Sequence, residues 1–157
     1  MLKVVLIRPE IPWNTGNVGR TCAAAGAELH LVGPLGFSLS ERRLRRAGLD
    51  YWESLAPVAY DSLDAFFQKL PADADVLAFS AEGPRTHWEA RYGSDSWLVF
   101  GGESAGLPPE LRARWHDRLH RVPMVEGARS LNLSTAAAVV LYEALGRRSQ
   151  PCVGRLP

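Results

Sequence analysis

The sequence predicts an α/β fold: a single domain in which flanking helices cover a parallel sheet. Short, continuously apolar runs recur along the chain, and such runs are typical of strands that are covered on both faces. They occupy residues 4–7, 29–33, 76–79 and 97–100, with a further strand near Val122. The connections between them are long enough for parallel crossovers. The length of 157 residues fits one domain, with residues 147–157 as a loose tail.

The first strand leads into a segment that is rich in helix breakers and amide side chains. Residues 9–20 read PEIPWNTGNVGR, so we expect a loop here, followed by a short helix over residues 21–25 that Gly26 ends. Open α/β sheets bind ligands at the carboxyl ends of their strands. This loop is therefore the first candidate for a binding site.

The segment after the second strand is strongly basic. Ser40 is suited to cap a short helix that carries four arginines, namely Arg42, Arg43, Arg45 and Arg46. Two interpretations stay open for this helix. It is either a solvated surface helix or a patch that contacts the phosphates of a nucleic acid.

Two further strand-to-helix units follow. The capping residues at positions 61–64 open a helix that runs to Leu70, and the strand at residues 76–79 comes next. The strand at residues 97–100 enters a loop at residues 101–109. A helix from about Pro109 to Trp115 then leads to the last strand.

Residues 129–134, with the sequence RSLNLS, join the last strand to the last helix. The strand-like run at residues 119–124 ends at Pro123, since proline gives a sheet no backbone donor. We expect a helix over residues 135–145, nearly buried all round, with Ser134 or Asn132 as its N-cap and Gly146 as its stop. Its unpaired N–H groups suit a polar or anionic ligand, although a plain helix cap explains the same residues.

Composition excludes several classes of function. The formal net charge is +1, so there is no global basic field, and any RNA site must be local. Cys22 and Cys152 lack metal-ligand spacing, which predicts reduced thiols and no metal. No apolar segment approaches membrane-spanning length. We therefore expect a soluble, cytoplasmic protein with no membrane contact.

Two classes of enzyme find little support. Residues 102–106 match the G-x-S-x-G elbow of serine hydrolases, with Ser104 as the nucleophile. In an elbow, however, a helix begins at the nucleophile, and the prolines at positions 108–109 would disrupt its first turns. The possible partners Asp117 and His120 are crowded just downstream. Neither G-x-G-x-x-G nor G-x-x-x-x-G-K-[ST] follows the first strand, which argues against NAD and NTP chemistry.

Three loops, taken together and in order, resemble the three motifs of the SPOUT-class RNA methyltransferases. They are residues 14–20 (NTGNVGR), 100–108 (FGGESAGLP) and 130–134 (SLNLS). Three further blocks are similar to the minimal branch of that class, which methylates the ribose of the wobble nucleotide in tRNA. They are residues 9–12 (PEIP), 43–51 (RLRRAGLDY) and 122–125 (VPMV). The resemblance covers roughly residues 1 to 146.

The resemblance implies a fold, a cofactor, a substrate and an assembly. The implied fold adds a deep trefoil knot in the C-terminal half, which general rules of chain topology do not predict. S-adenosylmethionine is the implied cofactor, tRNA the implied substrate, and a homodimer the implied working form. The implied reaction is 2′-O-methylation of the ribose of a wobble cytidine or uridine.

The resemblance also implies site residues, carried over by position. Cofactor contacts are expected from Phe79, Gly101, Val122, Ser130 and Leu131. Glycine lets the backbone approach a ligand, and apolar side chains sandwich an adenine. Contacts to the RNA are expected from Asn14, Arg42, Arg43, Arg45 and Arg46.

Arg20 and Tyr142 are the predicted catalytic residues. Because arginine is an unlikely proton acceptor, we expect Arg20 mainly to clamp a phosphate and to stabilise charge on the ribose oxygen. It acts as a base only if desolvation shifts its pKa strongly. From one helical turn beyond the loop, it is expected to point toward the strand ends. Tyr142 is expected to bond the RNA or relay the proton. The alternatives are a salt bridge of Arg20 with Glu10 and a buried, structural Tyr142.

Two other functions stay open: 2′-O-methylation of another position in tRNA or of ribosomal RNA, and RNA binding without catalysis. The presence of Arg20 and of all three loops argues against the second. Three residues depart from the family pattern. They are Gly102, Ala105 and Trp13, the last of which stands where a proline is expected.

Overall fold

The structure is a computed structural model that describes residues 1–38 and 52–148. The predicted basic helix, with Arg42, Arg43, Arg45 and Arg46, lies outside the described residues. So does most of the predicted tail, from residue 149 onward.

Within these residues, seven strands form one sheet in which every pair is parallel. They are β1 (Lys3–Ile7), β2 (Glu28–Val32), β3 (Val58–Tyr60), β4 (Val76–Phe79), β5 (Arg85–Thr86), β6 (Trp97–Phe100) and β7 (Leu119–Arg121). Their spatial order is β3-β2-β1-β6-β4-β7-β5. The predicted parallel sheet is confirmed. The short edge strands β3 and β5 were not predicted, because β3 is only three residues long and β5 has no apolar residue.

The described helices are α1 (Pro12–Ala25), α2 (Trp52–Leu55), α3 (Leu63–Lys69), α4 (Pro109–Arg114) and α5 (Leu133–Arg148). Short 3-10 turns cover His87–Glu89 and His116–Arg118. The predicted helix start at residues 61–64 is confirmed, since the Ser62 hydroxyl accepts a bond from the Ala65 N–H.

Side chains of the central strands alternate between two apolar layers, as the period of a strand requires. Val4 and Leu6 of β1 belong to the layer that holds Val18 of α1 and Leu141 of α5. Val5 and Ile7 belong to the opposite layer, against α3 and α4. Helices therefore cover both faces, which explains why the strands read as unbroken apolar runs.

Helix α1 begins far earlier than the sequence analysis expected. The segment predicted as a loop up to Arg20 is helical from Pro12, and Gly26 ends the helix in a left-handed conformation at φ 63°. Proline at the first helical position lacks only an N–H that has no intrahelical partner there. Ile11 precedes the helix and has no capping side chain of its own. The start thus depends on a distant group, which is described below.

Helix α5 decides between the two predicted caps and corrects two other expectations. Asn132 is the cap, because its Oδ1 accepts bonds from the N–H groups of Ser134 and Thr135. The helix passes through Gly146 to Arg148, since a glycine ends a helix only where the backbone turns left-handed, and Gly146 does not. Val139 and Tyr142 are exposed, so the helix is buried on one side only.

Cys22 is fully buried, and burial raises the pKa of its thiol to about 12. Over residues 1–38 and 52–148, no helix is both long and apolar enough to cross a membrane. In the same part of the chain, no group of three or more His, Cys, Asp or Glu residues is arranged to hold a metal ion.

The protein buries three histidines, namely His30, His87 and His120, and this predicts acid sensitivity. Burial lowers the pKa of each imidazole. Unfolded histidine has a pKa of about 6.5, so the unfolded chain takes up protons before the native one as pH falls below that value. The stability that neutral histidines contribute is therefore complete above about pH 6.5 and is lost as pH falls through the lowered native pKa values.

We predict that thermal unfolding shifts to lower temperature between about pH 7.5 and about pH 5.5. In His120→Asn this shift should shrink, because the amide can keep the Nδ1 bond to the Arg118 carbonyl (3.0 Å) but cannot titrate. The exposed His116 supplies the control, since His116→Asn should keep the full shift. An equal shift in His120→Asn and His116→Asn would contradict the assignment to buried histidine.

Candidate active site

A cavity of about 470 Å³ opens at the carboxyl edge of the sheet, beyond β6, β4 and β7. Its size is in the range of small-molecule sites. The apolar lining includes Phe79, Phe100, Leu107, Val122, Leu131 and Leu133. The polar lining includes Asn14, Glu82, Glu103, Arg112, Ser130 and Asn132. All three predicted loops contribute, as expected for strands whose ends meet at one edge.

The structure brings together every residue that was predicted to contact the cofactor. Phe79, Gly101, Val122, Ser130 and Leu131 all line this cavity, and Asn14 lines it as well. The Gly101 segment follows β6 and the Ser130 segment follows β7. These two strands are separated in the sheet by β4. The contacts of these residues with a ligand stay predictions.

The two predicted catalytic residues are not part of the lining. Arg20 lies on the exposed side of α1, and Tyr142 lies on α5 with about half of its surface exposed (49%). Since α1 begins at Pro12, Arg20 is roughly two turns into the helix rather than one turn beyond a loop. The expectation of a buried structural tyrosine is wrong. Both side chains stand outside the cavity of their own chain.

The Glu103 carboxylate joins the second loop to the first. It accepts hydrogen bonds from the backbone N–H of Glu10 (2.7 Å) and of Ile11 (3.2 Å). It also accepts one from the Asn14 side-chain amide (2.9 Å). A carboxylate at a helix N-terminus is favoured by both the unpaired donors and the helix dipole. Glu103 thus supplies the N-terminal interaction that α1 lacks locally.

Asn14 and Asn132 extend this connection to the third loop. The Asn132 amide donates to Asn14 Oδ1 at 2.9 Å, and Asn14 is almost fully buried. The Asn132 Oδ1 accepts bonds from the Ser134 N–H (2.9 Å) and hydroxyl (2.7 Å) at the start of α5. A continuous series of hydrogen bonds therefore runs from Glu103 through Asn14 and Asn132 to the N-terminus of α5.

Ser104 is bonded to a carboxylate rather than to a histidine. Its hydroxyl donates to Glu10 at 2.6 Å and its N–H donates to the same carboxylate at 3.0 Å. These bonds hold the pKa of Glu10 below its usual range. The imidazole of His120 instead bonds the carbonyl of Arg118. The serine-hydrolase geometry is thus not formed in the described part of the chain.

The second loop folds tightly back on itself because of its glycines. A Cβ at Gly101 would overlap the backbone of Gly106 and Leu107. Gly106 has φ 64°, and its N–H bonds the Gly102 carbonyl at 2.9 Å. Side chains at these positions would break the turn that holds Glu103 toward α1.

Four charged or amide residues of the lining were not predicted as site residues. Glu103 and Asn132 stand inside the quoted motifs, and a lone acid in a glycine-rich loop after a buried strand is a signal that could have identified Glu103. Glu82 and Arg112 form an ion pair at the cavity. No local pattern indicates that pair, since its members belong to different connections.

The chain is similar to a known protein family and to individual known proteins. Residues 1–142 match the model of the SpoU rRNA Methylase family. A protein of Saccharophagus degradans that is named tRNA (cytidine(34)-2'-O)-methyltransferase is 48% identical over 145 residues. That alignment covers 92% of this chain and 94% of the relative.

Solved structures agree in fold. A structure described as giving insights into the 2-OH methylation of C/U34 on tRNA has a TM-score of 0.87 and 49% identity, and the match covers 94% of this chain and 91% of that one. The SpoU methyltransferase AviRb of Streptomyces viridochromogenes, in complex with AdoMet, has a TM-score of 0.83 and 26% identity. That match covers 94% of this chain and 58% of AviRb. The resemblance to the SPOUT-class RNA methyltransferases is confirmed, and the chain belongs to the SpoU rRNA methylase family.

Proposed function

We propose that this protein methylates the 2′-hydroxyl of the wobble nucleotide of tRNA, a cytidine or uridine, using S-adenosylmethionine. One observation carries the proposal: the three loops form a single lined cavity in a chain that is 48% identical to a relative bearing that activity in its name. A ribosomal target is the second candidate, because the family description names rRNA.

The cavity residues fit a nucleoside with a charged tail. Phe79, Val122 and Leu131 provide apolar surface for an adenine, and the polar groups of Ser130 and Asn132 lie in the same lining. Gly101 lines the same cavity. We propose that Phe79, Gly101, Val122, Ser130 and Leu131 hold the cofactor.

The bound cofactor supplies a methyl group on a sulfonium, open to in-line displacement by the ribose oxygen. The protein has two tasks: to position that oxygen, and to remove its proton while stabilising the charge that develops on it. We assign charge stabilisation and phosphate binding to Arg20. Tyr142, whose hydroxyl is exposed on α5, bonds the RNA or passes the proton on.

A homodimer explains why these two side chains lie outside the cavity. Arg20 and Tyr142 stand on exposed faces of α1 and α5, two helices that pack against each other. Ala137 of α5 is buried within its own chain, and Val139 and Tyr142 are the large apolar and aromatic side chains that α5 leaves exposed. We propose that a second copy packs on this surface, so that Arg20 and Tyr142 of one protomer face RNA bound at the boundary between the two.

RNA contact must be local, because the whole chain is nearly neutral. We propose that Asn14 and the arginines at positions 42, 43, 45 and 46 contact the tRNA, the arginines through its phosphates. A cytoplasmic location is part of this proposal, since tRNA is the substrate. The C-terminal trefoil knot stays a prediction of the family resemblance.

Calorimetry tests the cofactor. S-adenosylmethionine and S-adenosylhomocysteine should bind, whereas NADH and ATP should not. Gly101→Ala should abolish the binding heat, because a Cβ there displaces the loop that lines the cavity. Gly146→Ala is the matched control: Gly146 is helical with open space around it, so binding should be unchanged. Absence of heat with both sulfur ligands would rule out the proposed cofactor.

Two tRNAs, each with a single 2′-deoxyribose, test which nucleotide is methylated. A tRNA with 2′-deoxyribose at nucleotide 34 should accept no methyl group, since the attacking hydroxyl is missing. The same substitution at nucleotide 35 should leave methyl transfer intact. Equal transfer to the two tRNAs would place the reaction at another position.

Variants of Arg20 test the chemistry. Arg20→Ala and Arg20→Lys should each slow single-turnover methyl transfer by on the order of a hundredfold, the scale of one lost electrostatic contact. Cofactor affinity should not change, and light scattering should still give about twice the 17.2 kDa chain mass. Arg91→Ala, at another exposed arginine, is the control and should methylate normally. Normal rates in Arg20→Ala would remove Arg20 from the mechanism.

A further inference from the structure

Exposed apolar side chains gather at the mouth of the cavity. Ile11, Met124 and Leu131 line the cavity and are also solvent-exposed. Trp13 and Val125 are exposed and follow closely after Ile11 and Met124 in the sequence. We call these five residues the apolar rim. Contiguous exposed apolar surface beside a cavity marks a place where a partner is bound.

Trp13 is the largest member of the apolar rim. It is the second residue of α1 and stands between Ile11 and Asn14, which both line the cavity. Its side chain is 67% exposed. Trp13, Asn17 and Arg20 are all exposed and recur at helical spacing, so the indole and the guanidinium share one side of α1.

The other tryptophans show that this exposure is unusual within the chain. Trp97 and Trp115 are core residues with 6% and 7% exposure. Trp88 is 55% exposed, but its ring packs against His87 with centroids 5.0 Å apart. In the described part of the chain, no aromatic ring or cation stacks on the Trp13 indole. The indole is thus exposed without an aromatic or cationic partner among the described residues.

We propose that the Trp13 indole stacks on a nucleobase of the bound RNA, beside the nucleotide whose ribose enters the cavity. The inference rests on the proposed function, because it requires an RNA substrate. Proteins recognise single-stranded RNA by stacking its unpaired bases on aromatic rings, and such stacking tolerates any base. Arg20 on the same side of α1 and the exposed Arg129 beside Ser130 provide positive charge for the flanking phosphates.

The indole lies on the side of α1 that carries Arg20, where RNA is proposed to lie at the boundary between two copies, so we assign it to a base of that RNA rather than to the second copy. A base stacked at Trp13 lies beside the cavity, since Ile11 and Asn14, which flank Trp13 in the sequence, belong to the lining. A protein partner would instead need Trp13 for assembly. Trp13 is therefore an RNA-binding residue in this account, and it has no role in bond making.

Steady-state methyl transfer separates these roles. With saturating cofactor, Trp13→Ala should raise the KM for tRNA by about tenfold, which corresponds to about 1.4 kcal/mol, and leave kcat within about twofold. Trp13→Phe should recover most of the affinity, because a phenyl ring also offers a face for stacking. Trp88→Ala is the matched control, since this exposed tryptophan lies outside the cavity lining. Its KM should equal that of the unaltered protein.

An unchanged KM in Trp13→Ala would overturn the proposal, and so would a Trp13→Phe variant that recovers no affinity. A third contradicting outcome is the loss of the dimer mass in Trp13→Ala, because the indole would then be an assembly residue. Failure of the proposed function gives a different result, namely no methyl transfer by the unaltered protein. Fluorescence anisotropy of labelled tRNA decides the stacking proposal in that case. A Kd about tenfold weaker in Trp13→Ala than in Trp88→Ala supports stacking, and equal values refute it.

Discussion

The carboxylate of Glu103 is the group on which the organisation of the site depends. It accepts bonds from two backbone N–H groups that lead into α1 and from the side chain of Asn14. Helix α1 begins at Pro12, and Ile11 before it has no side-chain oxygen that could cap the helix. Removal of the acid would therefore leave the N–H groups of Glu10 and Ile11 and the Asn14 amide without this acceptor. Because Asn14 in turn bonds Asn132, one acid in the second loop fixes the first loop and, through it, the cap of α5.

This connection explains how three short loops, far apart in sequence, form one cavity. The parallel sheet brings the strand ends to one edge, but it does not fix the loops beyond them. The tight turn at Gly101 and Gly106 directs Glu103 toward α1, and the reverse bond from Ser104 to Glu10 closes the same contact from the other side. What results is one cavity with an apolar lining and several polar side chains, which is the usual composition of a small-molecule site.

The sequence predicted the interior of the protein better than its helix starts. Buried strands such as β6 were predicted correctly, because their apolar runs reflect burial on both faces. Gly26 ends α1 and Ser62 caps α3, as their neighbouring residues predicted. The start of α1 was not predictable from nearby residues, since its partner Glu103 lies 93 residues from Glu10. Because of that error, Arg20 was expected one turn beyond a loop, whereas it lies roughly two turns into α1. The predicted cavity residues follow the motifs, whereas the Glu82–Arg112 pair and the apolar rim arise only from the folded chain.

Mass spectrometry of tRNA nucleosides, after incubation of the protein with tRNA and S-adenosylmethionine labelled in its methyl group, tests the central claim most directly. The account predicts that the label appears in 2′-O-methylcytidine or 2′-O-methyluridine, because the cavity and the exposed residues beside it are assigned to a ribose hydroxyl. Label on a base, or no label in any nucleoside while the cofactor binds, would contradict it.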